Sequence, residues 1–325
     1  MQARSGAVSQ AAVTIYNARG NVYAVARPDA VLPALPADAA DAALTVGTWS
    51  DALLRAMQIR VSQDIKLNGV IIGPFNSSAP YEVLILNTDG SLAERSGNGL
   101  TIFGRALVDS GQTDPRSVFV VRVHHAGRGA RPLETTIEVA PPNAALVKMG
   151  TPAFGPEAVG ATPVAAATLS GQGWVVRALA GVNPLWTRSV LVRVGNPHCV
   201  TFVSDPRALP SKAEVQKMAS QLRGIADACV PSDQAPFERG INLQWARVIG
   251  SQKVEARVFE RGEGWTESSG TSASAVACAA FKMQLVSAGE ISVRMPGGVA
   301  RLSLTASRQG ALDQVVFTGR ARRVI

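Results

Sequence analysis

Cysteine is scarce in this sequence: Cys199, Cys229 and Cys278 are an odd number, at spacings of 30 and 49 residues. That pattern fits no disulfide framework and no metal-ligand motif, so buried free thiols are expected. Long apolar runs are missing as well. The first fifteen residues, MQARSGAVSQAAVTI, have no extended apolar core, and no stretch approaches about 18 uninterrupted apolar residues, which argues against a signal peptide or membrane span and for a cytoplasmic protein. The formal charge of +8 is carried by scattered arginines with no basic run interleaved with aromatics, so nucleic acid is not the expected partner. Attraction of small anionic substrates is use enough for the surplus.

What is present is apolar and finely punctuated. Hydrophobic residues make up 46% of 325, charged residues 17%, with 30 Gly and 19 Pro, too apolar for disorder and too broken for a helical bundle. The length suggests two domains. Short β-rich runs dominate the first half: TIYNARGNVYAVARP, VIIG, YEVLILNTDGS, SVFVVRVHH and TTIEV. Residues 50–60, with Ser50 as cap, and 100–108 read as helices, and the Pro/Ala-rich stretch 28–41 as a surface loop. Beyond PPNAALVKMGTP the pattern is strand-like through WVVRALAG and RSVLVRVGNPHCVTFV, then helical over 211–223. A domain change is expected near 140–150, giving domains 1–142, with 314–325 returning to it as a strand, and 143–313.

The most informative feature is a weak internal repeat. VLILNTDGSLAERSGNG leads into an apolar helix in the first half, and ARVFERGEGWTESSGTS leads into SASAVACAAFKM in the second. Asn87 and Ser96 are nine residues apart, as are Glu260 and Ser269, so both pairs repeat at an offset of 173, while Gly20-Asn21 recurs as Gly195-Asn196 at 175. Each repeat delivers a strand, a polar Ser-Gly loop and a helix that starts at once, presenting unsatisfied backbone amides and a positive dipole end that suit a carboxylate. Ser-Gly alone is an ordinary cap and turn; the repetition is what singles it out.

LNTDGSLAERSGNG, GNPHCV, ERGIN and ERGEGWTESSGTSA, in that order, resemble the signature blocks of the diaminopimelate epimerase family. The match begins at ARGNVYAV, continues through VKMGTPAF, and reaches PGG at 296–298 and FTGRA at 317–321. The resemblance implies an α+β fold of two pseudosymmetric domains, each a β-barrel-like sheet around a central helix, with the active site between them. It further implies a cofactor-independent isomerase of the amino-acid racemase type, associated with lysine biosynthesis, in which two cysteines exchange the α-proton from opposite faces. Its partner would be a small amino acid or related carboxylate; no metal is implied, and a homodimer is compatible.

On this resemblance the two cysteine positions are Ser96 and Ser269. A hydroxyl is a much weaker acid than a thiol and needs its own base. Asn21, Asn87, Asn196, Asn242, Glu260 and Arg261 fall on substrate-holding positions, and Gly97, Asn98, Gly270 and Thr271 on those that offer amides or hydroxyls to the α-carboxylate. Each asparagine alone reads as a turn residue; together, at family positions, they read as a pocket. His198 in GNPH could titrate near neutrality and is the candidate to assist either serine. Departures are Val22 after Gly20-Asn21, the run Lys66-Leu67-Asn68-Gly69 where the family has GxDG, and Ser272 where it usually has Gly. The residues leave open an isomerase with serine acid/base groups, a one-sided dehydratase or tautomerase, and a non-catalytic or regulatory amino-acid binder. They also leave open serines introduced deliberately to trap a ligand, although Ser272 and the longer loops favour natural divergence.

Overall fold

The computed structural model describes residues 13–31, 35–60, 65–125, 131–162, 166–168, 173–227, 236–238 and 240–324. Cys229 and Arg239 of ERGIN lie outside them. The chain divides into two compact units, Met1–Val147 with Gly319–Ile325, and Lys148–Thr318. The fold is α+β, and the two units are built alike.

The first unit contains strands β1 (Val13–Ala18), β2 (Asn21–Ala26), β3 (Gly69–Ile72), β4 (Tyr81–Asn87), β5 (Val118–His124), β6 (Leu133–Ala140) and the start of β7 (Ala144–Gly150). Its helices are α1 (Pro28–Val31), α2 (Ala39–Leu44), α3 (Val46–Arg60) and α4 (Gly97–Asp109). The hairpin β1–β2 turns at Arg19-Gly20, both at positive φ, which Gly20 adopts without a steric penalty. β2 then pairs parallel with β3, β3 antiparallel with β4, β4 parallel with β5, and β5 antiparallel with β6. The sheet wraps α4, whose Leu100, Ile102, Phe103 and Leu107 are almost fully buried, each worth about 1.5–3 kcal/mol. α2 and α3 set Ala42, Ala43, Trp49, Leu53 and Met57 against Val70, Ile72, Leu84 and Leu86.

The second unit begins with β8 (Ala153–Phe154), α5 (Pro156–Val159), β9 (Ala166–Thr168), β10 (Trp174–Val176) and α6 (Arg177–Val182). It continues through β11 (Ser189–Val194), β12 (Asn196–Phe202), α7 (Lys212–Lys217), α8 (Ala219–Ala226), β13 (Asn242–Gly250), β14 (Lys253–Glu260) and β15 (Gly264–Thr266). α9 (Gly270–Lys282), β16 (Gly289–Met295), β17 (Gly298–Ala306) and β18 (Leu312–Arg320) complete it, before β19 (Arg322–Arg323) in the returning segment. The order repeats: β12 parallel to β13, β13 antiparallel to β14, β14 parallel to β16, β16 antiparallel to β17. α9 is buried from Gly270 through Ala280, and its residues there are small on every side, alanine most often, with buried Thr271, Ser272 and Ser274 among them, so that the helix fits inside the sheet. A second core of Trp186, Trp245, Phe237 and Leu222 lies under α6 to α8.

Several local expectations need correction. Ser50 is not a cap: the helix begins a turn earlier at Val46, and Ser50 sits inside it at 4% exposure. Within 28–41 the described residues include helix α1 and the start of α2, whose N-cap Asp38 accepts from the amides of Ala40 and Asp41. Only Trp174–Val176 of WVVRALAG is strand, and the rest turns into α6. The helix over 211–223 is two helices broken at Met218, the first held by a capping box between Ser211 and Glu214.

Candidate functional site

The strand register gathers the predicted residues of each unit at one sheet end. In the first unit Tyr23 pairs with Gly69 and Gly69 with Asn87, which aligns the start of β2, carrying Asn21, with the end of β4. In the second, His198 pairs with Asn242 and Leu243 with Phe259, which aligns the start of β12, carrying Asn196, with the end of β14 at Glu260. From those ends the chain runs through a short polar loop to the central helix.

Both motif serines cap that helix. Ser96 Oγ accepts from the Gly99 amide at 3.0 Å, and Ser269 Oγ from the Ser272 amide at 3.2 Å. The next amides, of Leu100 and Ala273, bond the carbonyls of Ser96 and Ser269. The amides of Gly97 and Asn98, and of Gly270 and Thr271, are therefore the first-turn donors with no intrahelical acceptor. Asn98 is 2% exposed and its side-chain Nδ2 has no partner among the described residues. An orphaned buried donor costs about 1–3 kcal/mol, which a ligand acceptor would offset.

The hydroxyls differ in their partners. Ser269 Oγ donates to Glu260 Oε1 at 2.7 Å and lies 3.2 Å from Thr271 Oγ1; Ser272 Oγ reaches the same Glu260 oxygen at 3.5 Å. Burial raises the Glu260 pKa above the ordinary carboxylate value, outweighing the hydroxyls of Ser269, Thr266 and Ser272 that favour the anion. Ser96 has instead the phenol of Tyr23, whose Oη lies 3.5 Å away. Among the described residues no carboxylate bonds to Ser96.

Two of the predicted asparagines are held in place by nearby groups, one by a backbone amide and one by a hydroxyl. Asn242 Oδ1 accepts from the Arg261 amide at 2.9 Å, and Asn87 Nδ2 donates to Ser91 Oγ at 3.0 Å. The loop before Ser269 rests on Gly297 of the PGG run, whose amide donates to the Glu267 carbonyl at 2.7 Å; a Cβ there would sit 2.9 Å from that oxygen. His198 departs from its expected role. It has 0% exposure, and burial first, then the charge of Arg261, pushes its pKa down to about 3, so it is neutral at physiological pH and does not titrate near 7. Cys199 and Cys278 are free, buried thiols, Cys199 pushed up to about 12 by burial, which makes neither a ready nucleophile.

Sequence reasoning did not single out Tyr23 and Gln244. Strand alternation contained the signal, since each lies two residues after a predicted asparagine, Asn21 or Asn242, and so shares its face. Gly69 was noted only as part of a departure. A Cβ there would meet Tyr23 Cε1 at 2.7 Å, so the glycine gives the Tyr23 ring its place.

A sequence profile of the family described as diaminopimelate epimerase matches residues 190–324. The diaminopimelate epimerase of Paraburkholderia phytofirmans is 30% identical over 259 residues, 77% of this chain and 76% of that one. The chain belongs to the diaminopimelate epimerase family. Its class of chemistry is therefore isomerisation. Among solved structures, a hydroxyproline epimerase from Agrobacterium vitis with bound trans-4-hydroxy-L-proline superposes with a TM-score of 0.59 at 16% identity, covering 96% of this chain and 90% of that one. A phenazine biosynthesis protein of Bacillus anthracis gives 0.58 at 14%, covering 96% of both. Both likenesses establish the epimerase fold, and in the family frame the capped α4 and α9 are its two central helices. Among the described residues no helix is long and apolar enough to cross a membrane.

Proposed function

We propose that this family member is a cofactor-independent isomerase acting at the α-carbon of an amino acid with a polar distal end, with Ser96 and Ser269 in the positions of acid and base. The observation that carries the reading is the pair of serine-capped helices: each holds a hydroxyl beside two first-turn amides with no intrahelical acceptor. Gly97, Asn98, Gly270 and Thr271 would hold the α-carboxylate, whose negative charge grows as the α-proton leaves and which oriented amides stabilise. Asn21, Asn87, Asn196, Asn242 and Arg261 would hold the rest of the substrate. Glu260 would draw the Ser269 proton along their 2.7 Å bond, supplying the base that a hydroxyl lacks. On the resemblance, both serines replace cysteines, and diaminopimelate is the first substrate to try. A place in lysine biosynthesis, a cytoplasmic location and a homodimer follow from the same reading.

One observation favours a second reading. Ser269 has a carboxylate partner and Ser96 has a phenol, so proton transfer would be efficient on one side alone, as in a tautomerase or dehydratase. Proton NMR in D2O with a panel of amino acids, including the diaminopimelate stereoisomers, separates the cases. Exchange of the α-proton with inversion supports the isomerase, and exchange without inversion the one-sided enzyme. Line broadening without exchange identifies a non-catalytic binder, and silence throughout refutes the substrate class.

A further inference from the structure

His198 is surrounded by side chains that fix where its single proton sits. Gln244, 1% exposed on β13, places Nε2 3.0 Å from His198 Nδ1 and 3.1 Å from Ser272 Oγ, and Ser272 is itself fully buried in the first turn of α9. Both protons of one amide nitrogen are thus used, one on the imidazole and one on the hydroxyl. Nδ1 accepts, so the imidazole proton is on Nε2. Reversing the amide would leave its two N–H groups where Gln244 Oε1 now has no partner, and buried orphan N–H groups are rarer than under-satisfied carbonyl oxygens. It would also turn the Ser272 proton away from Glu260. His198 Nε2 has no partner among the described residues, although the ring is fully buried. His198 shares a face of β12 with Asn196, and its register partner is Asn242. An unsatisfied donor thus lies among side chains assigned to the substrate.

We propose that Gln244 is a positioning residue that, with Ser272, holds His198 as the neutral tautomer protonated on Nε2, so that the imidazole gives the reacting molecule a hydrogen bond and does not act as a base. The tautomer stands on geometry alone; the donor's target rests on the isomerase reading above. A neutral donor aimed at a carboxylate oxygen stabilises the charge that develops there without taking up a proton. The charged and titratable groups that act on the set are Arg261 and Arg193 at the imidazole, and Glu260, with Glu263 beyond it, at Ser272. Both arginines oppose a second proton on the ring.

The sequence has three histidines, so 15N-histidine labelling of the full chain gives a readable spectrum. The His198 signals are those lost in His198→Gln. The wild-type ring should show the Nε2–H pattern in two-bond 15N–1H correlations, unchanged from about pH 5 to 8. An Nδ1–H pattern, or an imidazolium forming in that range, overturns the proposal. Gln244→Glu substitutes an acceptor-only carboxylate and should draw the proton to Nδ1; Gln244→Met removes the donor and should leave a mixture of tautomers. An unchanged spectrum in either folded variant overturns the role of Gln244, and if neither folds the wild-type spectrum decides. Gln244→Met should also lower kcat by roughly tenfold or more with little change in KM, as loss of an aligned donor does. An Nε2–H ring in a protein that exchanges no α-proton refutes the isomerase reading and keeps the tautomer. Exchange with an Nδ1–H ring refutes the tautomer alone.

Discussion

Replacing Ser269 by alanine should destabilise the protein more than replacing Ser96, although both are caps of equally long buried helices. Each substitution removes one side-chain bond to a first-turn amide, about 1 kcal/mol. Ser96→Ala loses little more, because its other neighbour is the Tyr23 hydroxyl at 3.5 Å. Ser269→Ala also takes from Glu260 its 2.7 Å donor, and a hydrogen bond to a charged group contributes about 1.5–3 kcal/mol. The excess for Ser269→Ala should therefore be about 1.5–3 kcal/mol at a pH where Glu260 is ionised. The sign with pH follows from proton binding. Burial already raises the Glu260 pKa, and losing the hydroxyl raises it further, so the variant holds its proton to higher pH than the wild type. The excess is fully present above the variant's folded pKa and vanishes as the pH falls below that of the wild type, where both carboxyls are neutral. Urea denaturation followed by tryptophan fluorescence measures it, since Trp174, Trp186, Trp245 and Trp265 lie in the unit that carries Ser269 and Trp49 alone reports on the other. Equal losses for the two variants, or a difference that stays constant with pH, would refute the ionised Ser269–Glu260 pair.

Three further outcomes test other parts of the structure. Arg261→Ala should weaken amino-acid binding by tenfold or more if its guanidinium supplies a charge-assisted bond of about 1.5–3 kcal/mol; calorimetry showing unchanged affinity would remove it from the substrate site. Glu255, 8% exposed, is bonded by Arg247, Arg257 and Arg294, which hold its carboxyl below the ordinary pKa against the opposing effect of burial. Glu255→Gln should thus cost about 1–3 kcal/mol at neutral pH, a loss that fades as the pH falls through the depressed folded pKa of Glu255 and the wild-type carboxylate is protonated, and a pH-independent loss would contradict it. Iodoacetamide should leave Cys199 and Cys278 unmodified in the native protein, because burial raises both thiols, and peptide mass spectrometry showing rapid alkylation of either would contradict the packing around α9 and β12.

How far the sequence was legible depended on whether a feature was local. The Asn-to-Ser spacing of nine residues reports a strand end, a loop and a helix start that are contiguous in the chain, and both copies fold as that unit. Strand alternation was equally readable, since it follows from backbone geometry. The capping role of Ser50 was misplaced because Val46-Gly47-Thr48-Trp49 has poor helix propensity, which the burial of Trp49 against β3 and β4 overrides. Asp38 is a sound cap before an Ala-rich run, but the prolines around it dominated the reading of 28–41. His198 shows the opposite limit. GNPH specifies a turn and a strand start, while the protonation of the ring is set by Gln244, 46 residues on, and by the burial that the neighbouring strand and α9 provide. A carboxylate's partner or an imidazole's tautomer is a property of residues brought together from different elements, and no spacing in the chain encodes it.

The two repeats therefore differ where the backbone does not constrain them. Register, cap and first-turn amides recur in both units, because any residue change that broke them would cost the helix or the sheet. The side chains that address the capping hydroxyl are free of that constraint: a phenol from β2 in one unit, a carboxylate from the end of β14 in the other, with Gln244 and Ser272 adding a buried polar link beside that carboxylate. A symmetric scaffold thus carries an asymmetric pair of hydroxyls, of which, among the described residues, only Ser269 bonds to a carboxylate. On the isomerase reading proposed above, proton removal by Ser269 and by Ser96 would therefore differ in difficulty, the carboxylate assisting the first.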